Sequence, residues 1–365
     1  MITDQRFGIL CYGTRFKGIG GAIKQRPEDF VVAEVLKHES RRLIDRGEYP
    51  LFVLCKKGAD TLEAKAIFER QTGLSVNILG LKDRNAMTYQ FLSSRRKLLA
   101  ERRVEGKNFA ALLVARTLRP LTKADLLGNS FKVTIRNAEI KVDILEVLKK
   151  ELEEGRIPNF YGPQRFGERL SNHVIGRLIV KREFDEAAKL IFGDRLPNDD
   201  SIASLRSIPI QLRRLYVSSY QSYLFNLCLS EMIKDETINE RRGLFISYHK
   251  RRIIVDQTIR SEALNDTEIA YARLGPLPGY SFREREDSAF QKMKYILEQE
   301  GITPSQFYIK EMQEVSAEGG LRPLSMVGWL RGWQVEDELL LRFVLLTGSY
   351  ATILLRELMK ATIQN

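Results

Sequence analysis

Histidine and cysteine are scarce in this 365-residue chain, with three of each. His38, His173 and His249 are scattered, and none stands at ligand spacing from a cysteine or a carboxylate, so neither a metal centre nor a histidine-based triad is offered. Cys11, Cys55 and Cys228 are far apart and form no CxxC, which argues against a disulfide framework or a zinc ribbon and suits a reducing cytoplasm. Gly18, Gly20 and Gly21 do not make a GxGxxG turn, because Ile23 takes the third glycine's place and a strand-like stretch follows; GxxxxGK[ST] is absent too. Rossmann and P-loop chemistry lose their basis. The most apolar run, residues 343–355, falls short of the ~20 residues a membrane helix needs. The first residues carry Asp4 and no apolar core of a signal peptide, so a soluble protein without membrane contact is expected. No solenoid period or low-complexity tract is visible.

Basic charge is abundant. Lys and Arg number 58 against 47 Asp and Glu, a net charge of +11, which favours a polyanionic partner such as nucleic acid. At this length two domains are the better expectation. FVVAEVL (30–36), YPLFVLCKKG (49–58) and FKVTIRN (131–137) read as strands. ADTLEAKAIFERQTG reads as a helix capped by Asp60, with Glu63 as capping-box partner and Gly73 as its stop. VDILEVLKKELEEG places Ile144, Leu145, Leu148 and Leu152 on one helical face. The C-terminus reads as strand, turn at Gly348 and helix. Between about 185 and 320 the texture turns polar and helix-rich, broken by RLPNDD, LGPLPGYS and GITPS, as in a unit inserted into the first.

The remaining chemistry is that of carboxylates in basic and aromatic company. In ILGLKDRNAMTYQF (78–91), Asp83 stands between Lys82 and Arg84 in a turn leading to an alternating, half-buried strand. By itself such a turn is ordinary solvated surface. IKQRPEDFVV (23–32) adds Lys24 and Phe30, and IPNFYGPQRFG (157–167) adds Asn159, Phe160, Tyr161 and Arg165. Such a loop can present flat rings and an amide to a flipped base, or it can be a tight aromatic turn packed for structure.

IKQRPEDFVV, LGLKDRNAMTYQ, PNFYGPQRFG and LLTGSYATILLREL together resemble the tRNA pseudouridine synthase D (TruD) family in order and approximate spacing. The resemblance implies an α+β enzyme: a mostly antiparallel sheet as catalytic domain, formed by residues 1–184 and 321–365, with a helix-rich inserted domain over 185–320. It implies cofactor-free isomerisation of uridine to pseudouridine in RNA, typically uridine 13 of the tRNA D-arm, in the cytoplasm. It makes Asp83 the essential catalytic carboxylate, preceded by Lys82, and puts Lys24, Phe30 and Asn159 at the same pocket. Tyr161 falls where the family's base-stacking aromatic lies, although bacterial members commonly have Tyr then Phe where this chain has Phe160 then Tyr161, so which ring touches the base stays open. No metal, nucleotide or redox cofactor is expected, and a monomer is slightly favoured.

An ionised carboxylate can attack the sugar or base, or remove a ribose proton, provided that nearby cations keep it charged. Side chains adjacent on an extended segment often point apart, so a cation from elsewhere suits Asp83 better than Lys82 or Arg84. Members of this enzyme class bring a basic residue from a later motif, which nominates Arg356; the helix pattern alone reads equally as a surface charge. SSYQSYLFN (218–226) places Tyr220 and Tyr223 at helical spacing with Tyr216 and reads as core. SSRRKLLAERR (93–103) and HKRRIIV (249–255) are either phosphate-contacting or merely solvated. Two rivals stand beside the enzyme: an RNA-binding or RNA-folding protein on the same scaffold, and a methyltransferase, against which the missing Gly-rich turn argues.

Overall fold

The computed structural model describes residues 2–84, 86–97, 102–240, 243–249, 255–260, 269–336 and 338–361. Ten strands form one large sheet: β1 Gly20–Ala22, β2 Phe30–Leu36, β3 Ile44–Lys57, β4 Val76–Ile78, β5 Met87–Ser94, β6 Arg103–Gly106, β7 Phe109–Thr117, β8 Leu126–Ala138, β13 Gly328–Val335 and β14 Leu339–Leu346. The spatial order is β13-β14-β8-β2-β5-β3-β7-β6, with β1 on β8 and β4 on β5. Every neighbour is antiparallel except β2 and β5, which run parallel with Val31 opposite Met87. The two ends of the chain therefore share one sheet, joined where β14 pairs with β8.

Local chemistry accounts for the elements. Asp60 accepts hydrogen bonds from the Leu62 and Glu63 amides at the start of the helix Thr61–Thr72, and Gly73 ends it at φ 68°. Ile144, Leu145, Leu148 and Leu152 of the helix Val142–Glu153 are buried in the same core as Phe131, Leu341 and Phe343 of the sheet. β2 alternates strictly, turning Phe30, Val32, Glu34 and Leu36 inward. Glu34 is the exception among them, a carboxylate on an apolar face.

The segment 185–320 is not helical alone. Besides the helices Ile210–Lys234 and Ser288–Gln299 it holds β9 Leu244–His249, β10 Val255–Arg260 and β11 Ile269–Leu277, which with β12 Gly320–Pro323 make a second antiparallel sheet in the order β10-β9-β11-β12. These strands, LFISYH, VDQTIR and IAYARLGPL, are short or interrupted by Gly275 and Pro276, so the sequence offers little sustained alternation to mark them. The helix Asn172–Lys181, upstream of this segment, packs on Ile210–Lys234 so closely that a Cβ at Gly176 would lie 2.0 Å from the Tyr216 carbonyl oxygen. Tyr216 and Tyr220 are buried core residues, as their spacing predicts.

Candidate active site

The one parallel pair decides where the chemistry collects. Because β2 and β5 run the same way, the segments entering them, around residues 24–29 and 79–84, approach from the same end of the sheet. Lys24 and Asp83 are thereby brought together: Lys24 Nζ lies 3.2 Å from Asp83 Oδ2 and 4.8 Å from the centroid of the Phe30 ring. Lys24 sits at φ 59°, an uncommon conformation for a side-chain-bearing residue. Its side chain is only 8% exposed, whereas that of Asp83 is 44% exposed and open to a ligand.

The loop that carries Asp83 is held through its own carbonyls. Gln90 Nε2 donates to Gly80 O at 2.7 Å, Lys56 Nζ to Asp83 O at 2.8 Å and to Lys82 O at 3.4 Å, and the Thr61 hydroxyl to Lys82 O at 3.3 Å. Lys56 is buried; desolvation pushes its ammonium below the usual lysine range, opposed by Asp60 and Asp83. In β5 it is the polar Thr88 and Gln90 that face the interior, with Met87 and Tyr89 partly exposed, because Gln90 is needed beneath the loop. Lys82 turns inward, 2.7 Å from Glu34 Oε1, while Glu34 Oε2 accepts from the Phe91 amide. Burial raises the Glu34 pKa and Lys82 opposes the rise. A Cβ on Gly80 would stand 2.7 Å from Lys82 Nζ, so glycine there lets the lysine fold back. Arg84 donates to the Gly58 carbonyl. Neither neighbour in sequence pairs with Asp83.

Arg356 is placed differently from its expected role. Its Nε donates to Asp4 Oδ2 at 2.9 Å, Nη1 to Glu357 Oε1 at 2.7 Å and Nη2 to the Cys11 carbonyl at 3.1 Å, with the guanidinium 4.0 Å from the Tyr12 ring centroid. It is buried at the centre of an ionic network that ties the N-terminal segment to the last helix, Ala351–Met359, every face of which is covered. The cation at Asp83 comes from an earlier motif, not a later one.

A cavity of about 250 Å³ opens beside Asp83, lined among others by Phe131, Asn129, Gln164 and Tyr350. Tyr350 stands between the Gly348 turn and the last helix, and burial pushes its hydroxyl above the usual tyrosine range, partly offset by Arg165 and Arg322. Tyr161 does not line this cavity. One face of its ring carries the Arg322 guanidinium, 3.8 Å from the centroid, and its ring centre is 6.0 Å from that of Tyr350. Its backbone is fixed by Asn226, which accepts from the Tyr161 amide at 2.8 Å and donates to its carbonyl at 3.1 Å. Phe160 is fully buried in the core. Asn159 accepts from Arg322 at 3.1 Å and donates to the Pro323 carbonyl at 3.1 Å, so its amide is engaged in holding Arg322 under Tyr161.

Lys56, Tyr350 and Arg322 were not singled out in the sequence. Lys56 was within reach: it continues the inward alternation of Phe52 and Leu54 in β3, an unusual place for a lysine. Arg95, Arg96, Lys97, Arg102 and Arg103 are exposed; residues 98–101 between them, and 250–254 of the second basic stretch, lie outside the described residues.

Comparison with known proteins places the chain in a family. The family model for tRNA pseudouridine synthase D (TruD) matches residues 6–203 and 195–358. A relative from Pyrococcus furiosus bearing the tRNA pseudouridine synthase D name is 30% identical over 97% of this chain and 98% of its own length. One from Thermococcus gammatolerans with the same name is 31% identical over 94% of this chain and 95% of its own. A crystal structure from Methanosarcina mazei, described as tRNA pseudouridine synthase D, superposes with a TM-score of 0.75 at 24% identity, covering 98% of both chains, and shows the shared fold. Fold and matches define an RNA-modifying isomerase, a pseudouridine synthase. The chain belongs to the tRNA pseudouridine synthase D family. No helix among the described residues is long and apolar enough to cross a membrane.

Proposed function

We propose that this protein isomerises a uridine of tRNA to pseudouridine, with uridine 13 of the D-arm as target and Asp83 as the catalytic carboxylate. The observation that carries the reading is a half-exposed carboxylate, ion-paired to Lys24, on a clamped loop beside an aromatic-walled cavity. The reaction breaks C1′–N1, forms C1′–C5 and exchanges the C5 proton for one at N1. Atoms and redox state balance, so no co-substrate is required. Asp83 initiates the cleavage, and Lys24 balances its charge while resting on Phe30. Lys82, paired with Glu34, shapes the loop from below. Tyr350 and Phe131 wall the flipped base, and Tyr161, Asn159 and Arg322 support Tyr350 from behind. The net charge of +11 serves the polyanionic substrate. The same reading takes the protein as a cytoplasmic monomer, the setting in which tRNA is modified.

The test is pseudouridine formation on unmodified tRNA transcripts, mapped by carbodiimide adducts, for wild type and Asp83→Asn. A single D-arm uridine marked by the wild type and none by the variant is expected. Equal modification by Asp83→Asn would remove the carboxylate from the mechanism, and wild-type binding without product would favour a binding role.

A further inference from the structure

We propose that Asn129 reads the hydrogen-bonding edge of the uracil ring in the cavity beside Asp83. The inference rests on the uridine-isomerising function and adds to it a residue that faces the base itself. In β8, Asn129 lies opposite Glu34 of β2 and Leu345 of β14, and directly opposed residues of antiparallel strands share a face. Phe131, two residues on, is on that face as well and lines the same cavity.

Glu34, the polar neighbour best placed to engage the amide, is already committed to Lys82 and to the Phe91 backbone amide. Gln164, the other carboxamide of the cavity, accepts from the Thr352 hydroxyl at 3.3 Å. Asn129 Oδ1 is buried and has no hydrogen-bond partner. Among the described residues only four buried side-chain atoms share that condition, and the others, in His173, Arg273 and Glu311, do not line this cavity.

Buried amide oxygens are nearly always paired, so an orphan on the wall of a catalytic cavity is a place where a ligand donor fits. Uracil presents N3–H between two carbonyl oxygens. A carboxamide presents one acceptor and two N–H donors, and so can accept from N3–H while donating to the adjacent carbonyl. Rotation of the amide about its Cβ–Cγ bond brings either atom to the cavity. Held this way, with Tyr350 and Phe131 at its sides, the base is located by its edge as well as by its faces.

The experiment uses two tRNA transcripts, one with uridine and one with N3-methyluridine at the target position, in single-turnover assays with wild type and Asn129→Ala. The wild type is expected to convert uridine and to be slowed at least tenfold by the methyl group. Asn129→Ala is expected to convert uridine about tenfold more slowly, with a smaller methyl penalty, since the lost donor no longer matters and the shorter side chain leaves room. Wild type that accepts N3-methyluridine as readily as uridine would overturn the inference, and this arm requires no variant to fold. Asn129→Ala with wild-type rates and the full methyl penalty would overturn it too. A wild type inactive on both transcripts would instead remove the function on which the inference stands.

Discussion

Lys24 and Asp83, 59 residues apart in the chain, meet as an ion pair at 3.2 Å because the strands that follow them, β2 and β5, run parallel, as no other neighbours among the described residues of the large sheet do. Antiparallel pairing would have sent the two entering segments to opposite ends. Lys24→Met is expected to lower kcat/KM by about 10- to 100-fold, the worth of a charge-assisted contact of roughly 1.5–3 kcal/mol discounted for the exposure of Asp83. Lys24→Arg should recover part of it. Single-turnover rates at fixed tRNA concentration decide this, and an unimpaired methionine variant would detach Lys24 from catalysis.

Lys56 holds Asp83 by the backbone, donating to the carbonyls of Lys82 and Asp83, while also feeling the charge of the Asp83 carboxylate. Lys56→Met leaves the Asp83 carbonyl without its 2.8 Å donor and frees the loop. The expected result is a fall in kcat with tRNA affinity retained, together with a stability loss of about 1–3 kcal/mol for the unpaired carbonyls. A variant that loses stability but keeps kcat would show that the clamp is purely structural.

Tyr350 and Tyr161 should separate by readout. Tyr350→Ala removes a wall of the cavity, and base stacking of about 1–3 kcal/mol is expected to be lost from catalysis. Tyr161→Ala opens a hole beneath a buried arginine and should cost about 3–5 kcal/mol of stability. Denaturant midpoints and turnover measured on both variants would show which ring meets the base.

Arg356→Ala strips the cation from buried Asp4 and one of two cations from buried Glu357, which keeps Lys360 at 2.9 Å, and is expected to destabilise the fold by about 3–5 kcal/mol. Catalysis by the fraction that remains folded at low temperature should be near normal. Active-site titration against thermal unfolding distinguishes this from a direct role at Asp83.

His173 stacks on Tyr223 at 4.9 Å between centroids, and desolvation lowers its pKa from 6.5 to about 4. Between those values the unfolded chain binds the proton and the folded protein does not. Stability therefore falls as pH drops from 6.5 to about 4, by up to about 3 kcal/mol. His173→Phe, which keeps a ring in place, should flatten the decline of the urea midpoint across that window.

The sequence by itself determined several local elements and part of the cast of the candidate site. Asp60 and Gly73 bound their helix, the apolar stripe at 144–152 faces the core, and the Gly348 turn separates the last strand from the last helix, since caps and periodicity act within a few residues. The four motifs contain Lys24, Asp83, Asn159 and Tyr161, all of which lie at or just behind the cavity. What only the tertiary structure decided is who meets whom. The parallel pairing of β2 and β5 gave Asp83 to Lys24, and burial against Asp4 and Glu357 withdrew Arg356. Tyr350 rather than Tyr161 came to the cavity wall, and Arg322 covers one face of the Tyr161 ring. Charge and aromaticity are written residue by residue, but partnership depends on strand order and on the cost of leaving a buried charge unpaired, and both arise only when distant segments pack.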